Sequence, residues 1–155
     1  MRVIVFSDSH GSITEMKKVL DRERVDLIIH LGDVEKDARA VACLYNKPLI
    51  SVAGNCDVFP DSPCCVITDI CGINVYICHG NTHYGDEREV AAQAKKNGCE
   101  LALFGHTHVP TDTVIDGVRV INPGSISRPR YPAKVKTYSL GDITKDKIKM
   151  NICEY

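Results

Sequence analysis

Seven residues able to hold a metal stand in short polar clusters along the chain: Asp8, His10, Asp33, Asn55, His79, His106 and His108. Each cluster ends an apolar run. Val3–Phe6 leads into Ser7-Asp8-Ser9-His10, Leu27–Leu31 into Gly32-Asp33, and Ile50–Ala53 into Gly54-Asn55-Cys56-Asp57. Val75–Cys78 leads into His79-Gly80, and Leu101–Phe104 into Gly105-His106-Thr107-His108. The set is mixed oxygen and nitrogen with no required thiolate, which suits Mn²⁺, Fe²⁺, Ni²⁺ or Zn²⁺. Seven donors are too many for one zinc and fit two metals sharing a carboxylate. Such a pair holds a bridging hydroxide and the oxygens of an in-line phosphoryl displacement.

These clusters need elements to bring them together. Arg2–Ser7, Asp26–His30, Lys47–Ala53 and Leu101–Phe104 read as strands covered on both faces, because their apolar runs do not alternate with polar residues. Ser12 and Glu15 read as a capping box for a helix whose apolar face carries Ile13, Met16, Val19 and Leu20. Further helices are expected at Glu35–Tyr45 and Asp86–Asn97, the second with acidic residues in its first turn, lysines in its last and Gly98 beyond. Cys64–Ile70 and Ile73–Cys78 flank a hairpin turn at Cys71-Gly72. Thr113–Ile115 and Val118–Ile121 flank Asp116-Gly117, a type I′ signal. Lys136–Leu140 and Lys147–Ile152 complete the strands. Strand–helix units followed by hairpins predict an α/β protein of two packed sheets with helices outside. In such folds ligands bind beyond the carboxyl ends of the strands, where all five clusters would converge.

The 155 residues fit a single domain, 1–155, with a formal net charge of −1, which gives no electrostatic case for nucleic-acid wrapping or membrane binding. The start Met1-Arg2 followed by Val3–Phe6 is too short for a signal-peptide core, and no run approaches a membrane span. A cytoplasmic location is expected. None of the eight cysteines forms a Cys-x-x-Cys pair, and they read mostly as small buried hydrophobes.

Taken in order, Asp8-Ser9-His10, Gly32-Asp33, Gly54-Asn55-Cys56-Asp57, His79-Gly80 and Gly105-His106-Thr107-His108 resemble the five blocks of the calcineurin-like metallophosphoesterases. The short length and the loop Asn122-Pro123-Gly124-Ser125 resemble the compact prokaryotic, YfcE-like phosphodiesterases. The resemblance implies a four-layer αββα sandwich. It also implies that Asp8, His10 and His108 serve one metal and Asn55, His79 and His106 the other, with Asp33 bridging. The expected cofactors are two divalent ions, manganese first, with nickel, iron or zinc as alternatives. The sequence departs from the family pattern twice. Cys56 stands where the wider superfamily has His, and block four reads His79-Gly80-Asn81-Thr82-His83 where many members have His-Gly-His.

Asp33, Asn55, Asp57 and His83 are the candidate catalytic residues. Asp57 could orient a ligand, and His83 could take the place of the displaced histidine. Arg128 and Arg130 could grip a phosphate oxygen, although exposed loop arginines usually have no specific role. His30 reads as a hydrogen-bonded core histidine. Cys56 and Cys78 read as packing residues. The expected activity is hydrolysis of a small phosphodiester by a metal-bridging hydroxide. Diesters are preferred because little cationic help remains for a dianion. No stable nucleic-acid complex or membrane contact is expected, and exposed hairpin edges allow a homo-oligomer. The rival from another class is a protein-interaction scaffold, as in the retromer subunit of this fold. A nuclease or cyclic-nucleotide phosphodiesterase is a second enzymatic rival.

Overall fold

The computed structural model describes residues 1–155 in full. Its elements are β1 (Arg2–Phe6), α1 (Ile13–Leu20), β2 (Leu27–His30), α2 (Glu35–Tyr45), β3 (Leu49–Ser51), β4 (Cys65–Ile70), β5 (Ile73–Cys78), α3 (Glu87–Lys96), β6 (Leu101–Leu103), β7 (Thr111–Ile115), β8 (Val118–Asn122), β9 (Thr137–Thr144) and β10 (Lys147–Glu154). One sheet runs β10-β9-β1-β2-β3 and the other β4-β5-β6-β8-β7. Within the first, β1, β2 and β3 are parallel. Within the second, β5, β6 and β8 are parallel. Five parallel strands therefore deliver their polar endings, three from one sheet and two from the other.

Alternation along each strand builds the layers. Val3, Val5 and Ile29 of one sheet meet Val75, Ile77, Leu101 and Leu103 of the other in the central core. Ile4 and Phe6 point the opposite way, against Met16 and Val19 of α1 and Val41 of α2. Tyr76 and Ala102 pack on Val90 and Ala94 of α3. The result is a four-layer αββα sandwich in which both faces of the inner strands are dry, which is why those strands read as unbroken apolar runs. No helix is long and apolar enough to cross a membrane.

Two expectations need correction. Ser12 precedes α1, but no side-chain cap forms. Glu15 instead meets Lys136 Nζ at 2.7 Å, so a distant partner outcompetes the local box. The cysteines are mostly not buried: Cys43, Cys56, Cys64, Cys65 and Cys71 are exposed, Cys153 is intermediate, and only Cys78 and Cys99 are buried. The exposed ones lie on α2, in loops and turns, and on edge strand β4, where no second layer covers them.

Candidate metal centre

The loops after β1, β2, β3, β5 and β6 meet at one end of the sandwich. Five of the seven expected ligands, Asp8, His10, Asp33, His106 and His108, have positive φ, between 44° and 67°. Non-glycine residues adopt this backbone at a cost, and such clusters mark functional sites. The turns are tight because neighbouring glycines let the loops touch. A Cβ at Gly54 would collide with the Asp33 carboxylate, and one at Gly105 with Ser7 Oγ.

Asp8, His10, Asp33 and His108 form one tight group, with a ligand atom from each lying within 4.8 Å of all the others. Asp8 is fully buried. Its Oδ2 accepts from Ser7 Oγ at 2.5 Å and from the His106 amide at 3.1 Å. Its Oδ1 has no hydrogen-bond partner, although His108 Nε2 lies 3.1 Å away. A buried carboxylate oxygen without a donor is costly unless a cation serves it.

The imidazoles are oriented for ligation by their other nitrogens. His108 Nδ1 donates to the Arg128 carbonyl at 2.5 Å and His79 Nδ1 to the Leu31 carbonyl at 2.6 Å. Both donations leave the Nε2 lone pair free, the usual backing of a metal-bound histidine. His79 Nε2 then lies 3.2 Å from Asn55 Oδ1 and 3.3 Å from Asp33 Oδ1. His106 stacks edge-on to His79, with ring centroids 5.2 Å apart. Asp33 turns its other oxygen, Oδ2, toward His10 Nε2 at 3.6 Å. A set of oxygen and nitrogen donors this close fits divalent cations.

Electrostatics agree. Burial raises Asp8, but His108, His79 and Ser7 outweigh it and hold the carboxyl below its usual range. Burial lowers His108, yet the Asp8 carboxylate and Arg128 carbonyl together push it up. Burial lowers His10 and His106 and outweighs the Asp8 and Asp33 carboxylates, which raise both; Arg128 beside His10 and Arg130 beside His106 add a smaller downward push. Both arginines are exposed, on the loop anchored to His108 by its contacts with Arg128 and with the Arg130 amide.

Asp57 and His83 stand differently from the seven. The Asp57 carboxylate accepts from the amides of Gly54, Asp33, Val34 and Glu35, at 2.7–3.1 Å. It thus caps α2 from outside and fixes the backbone of Asp33. His83 Nε2 meets the Tyr76 hydroxyl at 3.2 Å and makes no hydrogen bond to any of the seven. Cys56 is exposed rather than packed. Its amide donates to Asp33 Oδ1 at 2.9 Å, and burial of the thiol, then the Asp33 carboxylate, pushes its pKa up.

His30 is the hydrogen-bonded core histidine expected and the Asn122–Ser125 loop lies at the site, whereas Ser127 and Asp37 support it without any signal in the sequence. Ser125 and Ser127 both donate to the Asp8 carbonyl at 2.9 Å. Asn122 donates to the Gly105 carbonyl at 2.8 Å. His30 accepts from the Gly32 amide and donates to Ser9 Oγ, which donates to Asp37.

Comparison with known proteins agrees with this geometry. Residues 1–146 match the calcineurin-like phosphoesterase superfamily domain. The chain is 32% identical over 150 residues to the probable metallophosphoesterase YsnB of Bacillus subtilis, covering 94% of this chain and 86% of that one. YfcE, a phosphoesterase from E. coli, superposes with a TM-score of 0.70 at 19% identity, covering 99% of both chains. Vps29 from Entamoeba histolytica, solved with Zn²⁺, superposes with a TM-score of 0.81 at 18% identity, again covering 99% of each. The chain belongs to the calcineurin-like phosphoesterase superfamily.

Proposed function

We propose that the chain hydrolyses a small phosphodiester at a dinuclear centre in which Asp33 offers one carboxylate oxygen to each of two divalent ions. The observation carrying this reading is the split of that carboxylate, Oδ2 toward His10 and Oδ1 toward His79. Asp8, His10 and His108 would complete one ion, and Asn55, His79 and His106 the other. Mn²⁺ is the first choice among the ions this donor set accepts. Bound ions would supply a nucleophile from water at neutral pH and offset charge on the phosphoryl group.

The residues do the rest. Asn55 is exposed and stands at the mouth, where it can also meet substrate. Asp57 is a positioning residue, acting through the Asp33 backbone. His83 is assigned no step, because its Nε2 faces Tyr76. Arg128 and Arg130 add positive charge beside the ligands. No imidazolium stands at Cys56, so a singly charged diester is the better substrate than a dianionic monoester.

The test strips the protein with chelator, reloads it with Mn²⁺, Ni²⁺ or Zn²⁺, and compares bis(p-nitrophenyl) phosphate with p-nitrophenyl phosphate. Metal-restored cleavage of the diester, lost in Asp33→Ala and His106→Ala, supports the proposal. Faster turnover of the monoester overturns the diester preference. The likeness to Vps29 favours one second reading, a protein-interaction scaffold. Two bound ions without cleavage of any diester would put that reading first.

A further inference from the structure

Two of the eight cysteines face each other across a strand pair. Strands β4 and β5 run antiparallel, with Cys65 opposite Cys78, Ile67 opposite Tyr76 and Ile70 opposite Ile73. No other two cysteines are opposed in this way. The hairpin closes through the two-residue turn Cys71-Gly72, where both residues have positive φ, 55° and 88°. The pair flanking such a turn, Ile70 and Ile73, exchanges both of its backbone hydrogen bonds. Bonded and non-bonded pairs alternate from there, so Cys65 and Cys78 form a non-bonded pair.

That position decides what the two thiols can do. Non-bonded pairs hold their Cα atoms about 4.5 Å apart, with the side chains close together on one face. Disulfides span roughly 4.4–6.8 Å between Cα atoms. Cys64 is the competing neighbour, but Cα atoms adjacent in sequence lie about 3.8 Å apart, below that span. The two sulfurs also differ in access. Cys65 is exposed on edge strand β4, whereas Cys78 is buried with Tyr76 beneath α3.

We propose that Cys65 and Cys78 are a modification site that takes a low-molecular-weight disulfide and closes into a cross-strand bridge. The Cys65 sulfur attacks the small disulfide RSSR, forming Cys65–S–SR and releasing one RSH. Cys78 then attacks the Cys65 sulfur, forming the Cys65–Cys78 bond and releasing a second RSH. The protein thiols are oxidised, the small disulfide is reduced, and both protons leave with the released thiols. The bridge fastens β4 to the strand that ends at His79. The Pro63 carbonyl, just before β4, accepts the Ala53 amide at 2.8 Å. The segments leading to Asn55 and His79 are thereby tied together whatever ester the metal centre cleaves.

The test incubates reduced, Mn²⁺-loaded protein with oxidised glutathione. Burial and the neighbouring Cys64 push the Cys65 thiol up, so mildly alkaline pH is used to speed its attack. Intact mass should fall by two hydrogen atoms, and proteolysis without reduction should give a peptide pair joining Cys65 to Cys78. Cys64→Ser should keep that cross-link, and Cys78→Ser should stop at a glutathione adduct on Cys65. The bridged parent should melt roughly 5–10 °C above its reduced form, because the bridge closes a loop in the unfolded chain. A Cys64–Cys65 bridge, a lasting glutathione adduct on Cys65 in the parent, or an unchanged mass overturns the proposal. So does a bridged form that melts no higher than the reduced one, which would mean that closing the bond strains the hairpin.

Discussion

His10 and His108 turn their Nε2 atoms toward each other at 3.3 Å. With the Nδ1 proton of His108 committed to the Arg128 carbonyl, only a shared proton or a cation relieves the facing lone pairs. On the reading proposed above a divalent ion fills that place, and it would bind the folded chain alone. Saturating Mn²⁺ or Zn²⁺ at a hundred times its Kd should therefore stabilise the fold by about 3 kcal/mol. For a domain of this size that raises Tm by roughly 5–10 °C over chelator-treated protein. Thermal unfolding followed by circular dichroism reads the shift, and Asp33→Ala should shrink it to a few degrees at most.

Asp57 gathers four amides onto one carboxylate. Removing it leaves partly buried donors unserved and uncaps α2. Asp57→Ala is expected to cost about 2–4 kcal/mol in urea unfolding. Because the same carboxylate fixes the Asp33 backbone, metal affinity by calorimetry should fall about 10- to 100-fold. Asp57→Asn, which keeps one acceptor oxygen, should lose less of both. Equal metal affinity in all three proteins would remove the positioning role.

Gly54 tests geometry without altering polarity. A methyl group there collides with the Asp33 carboxylate and backbone. Gly54→Ala should cost about 1–3 kcal/mol from overpacking. Displacing a ligand by around an ångström should also lower diester turnover roughly 100-fold. Activity close to that of the parent would show that the loop yields instead of Asp33.

His30 gives a pH signature. Burial drives its pKa down to about 4 from 6.5, so the unfolded chain takes up a proton that the native chain refuses. Its contribution to stability is complete above the unfolded pKa and is lost as pH falls toward the folded one. The loss reaches about 3 kcal/mol near pH 4. Urea unfolding at pH 7.5 and 4.5 should show a smaller drop in His30→Gln than in the parent, since other buried groups titrate in both.

The convergence of the candidate ligands could be read from the chain because each follows an apolar run, and the end of a buried strand is a place with few alternatives. Helix α2 has the expected bounds, Glu35–Tyr45, since its apolar spacing and first-turn acids agree. Strand β9 runs on through Gly141 and Asp142, a pair that in isolation reads as a turn. Gly141 is there because a Cβ would collide with the Lys149 carbonyl of the neighbouring strand. What could not be read depends on partners far apart in sequence. Asp57 on the α2 amides, Glu15 on Lys136, and Ser125 and Ser127 on the Asp8 carbonyl are tertiary pairings without a local pattern. The exposure of most cysteines is of the same kind, because a thiol's residue type does not reveal which strand lies at an edge.

The candidate ligands come from two sheets that share no backbone hydrogen bond, so the central core doubles as a spacing gauge. Asp8, His10, Asp33 and Asn55 are fixed to one plate, and His79, His106 and His108 to the other. The thickness of the layer formed by Val5, Ile29, Ile77 and Leu103 sets how far apart the two halves sit. On the dinuclear reading proposed above, catalysis would be tunable by wholly apolar substitutions remote from any donor atom. A drifting lineage could retune its choice of metal by repacking aliphatic side chains while every polar residue stays in place.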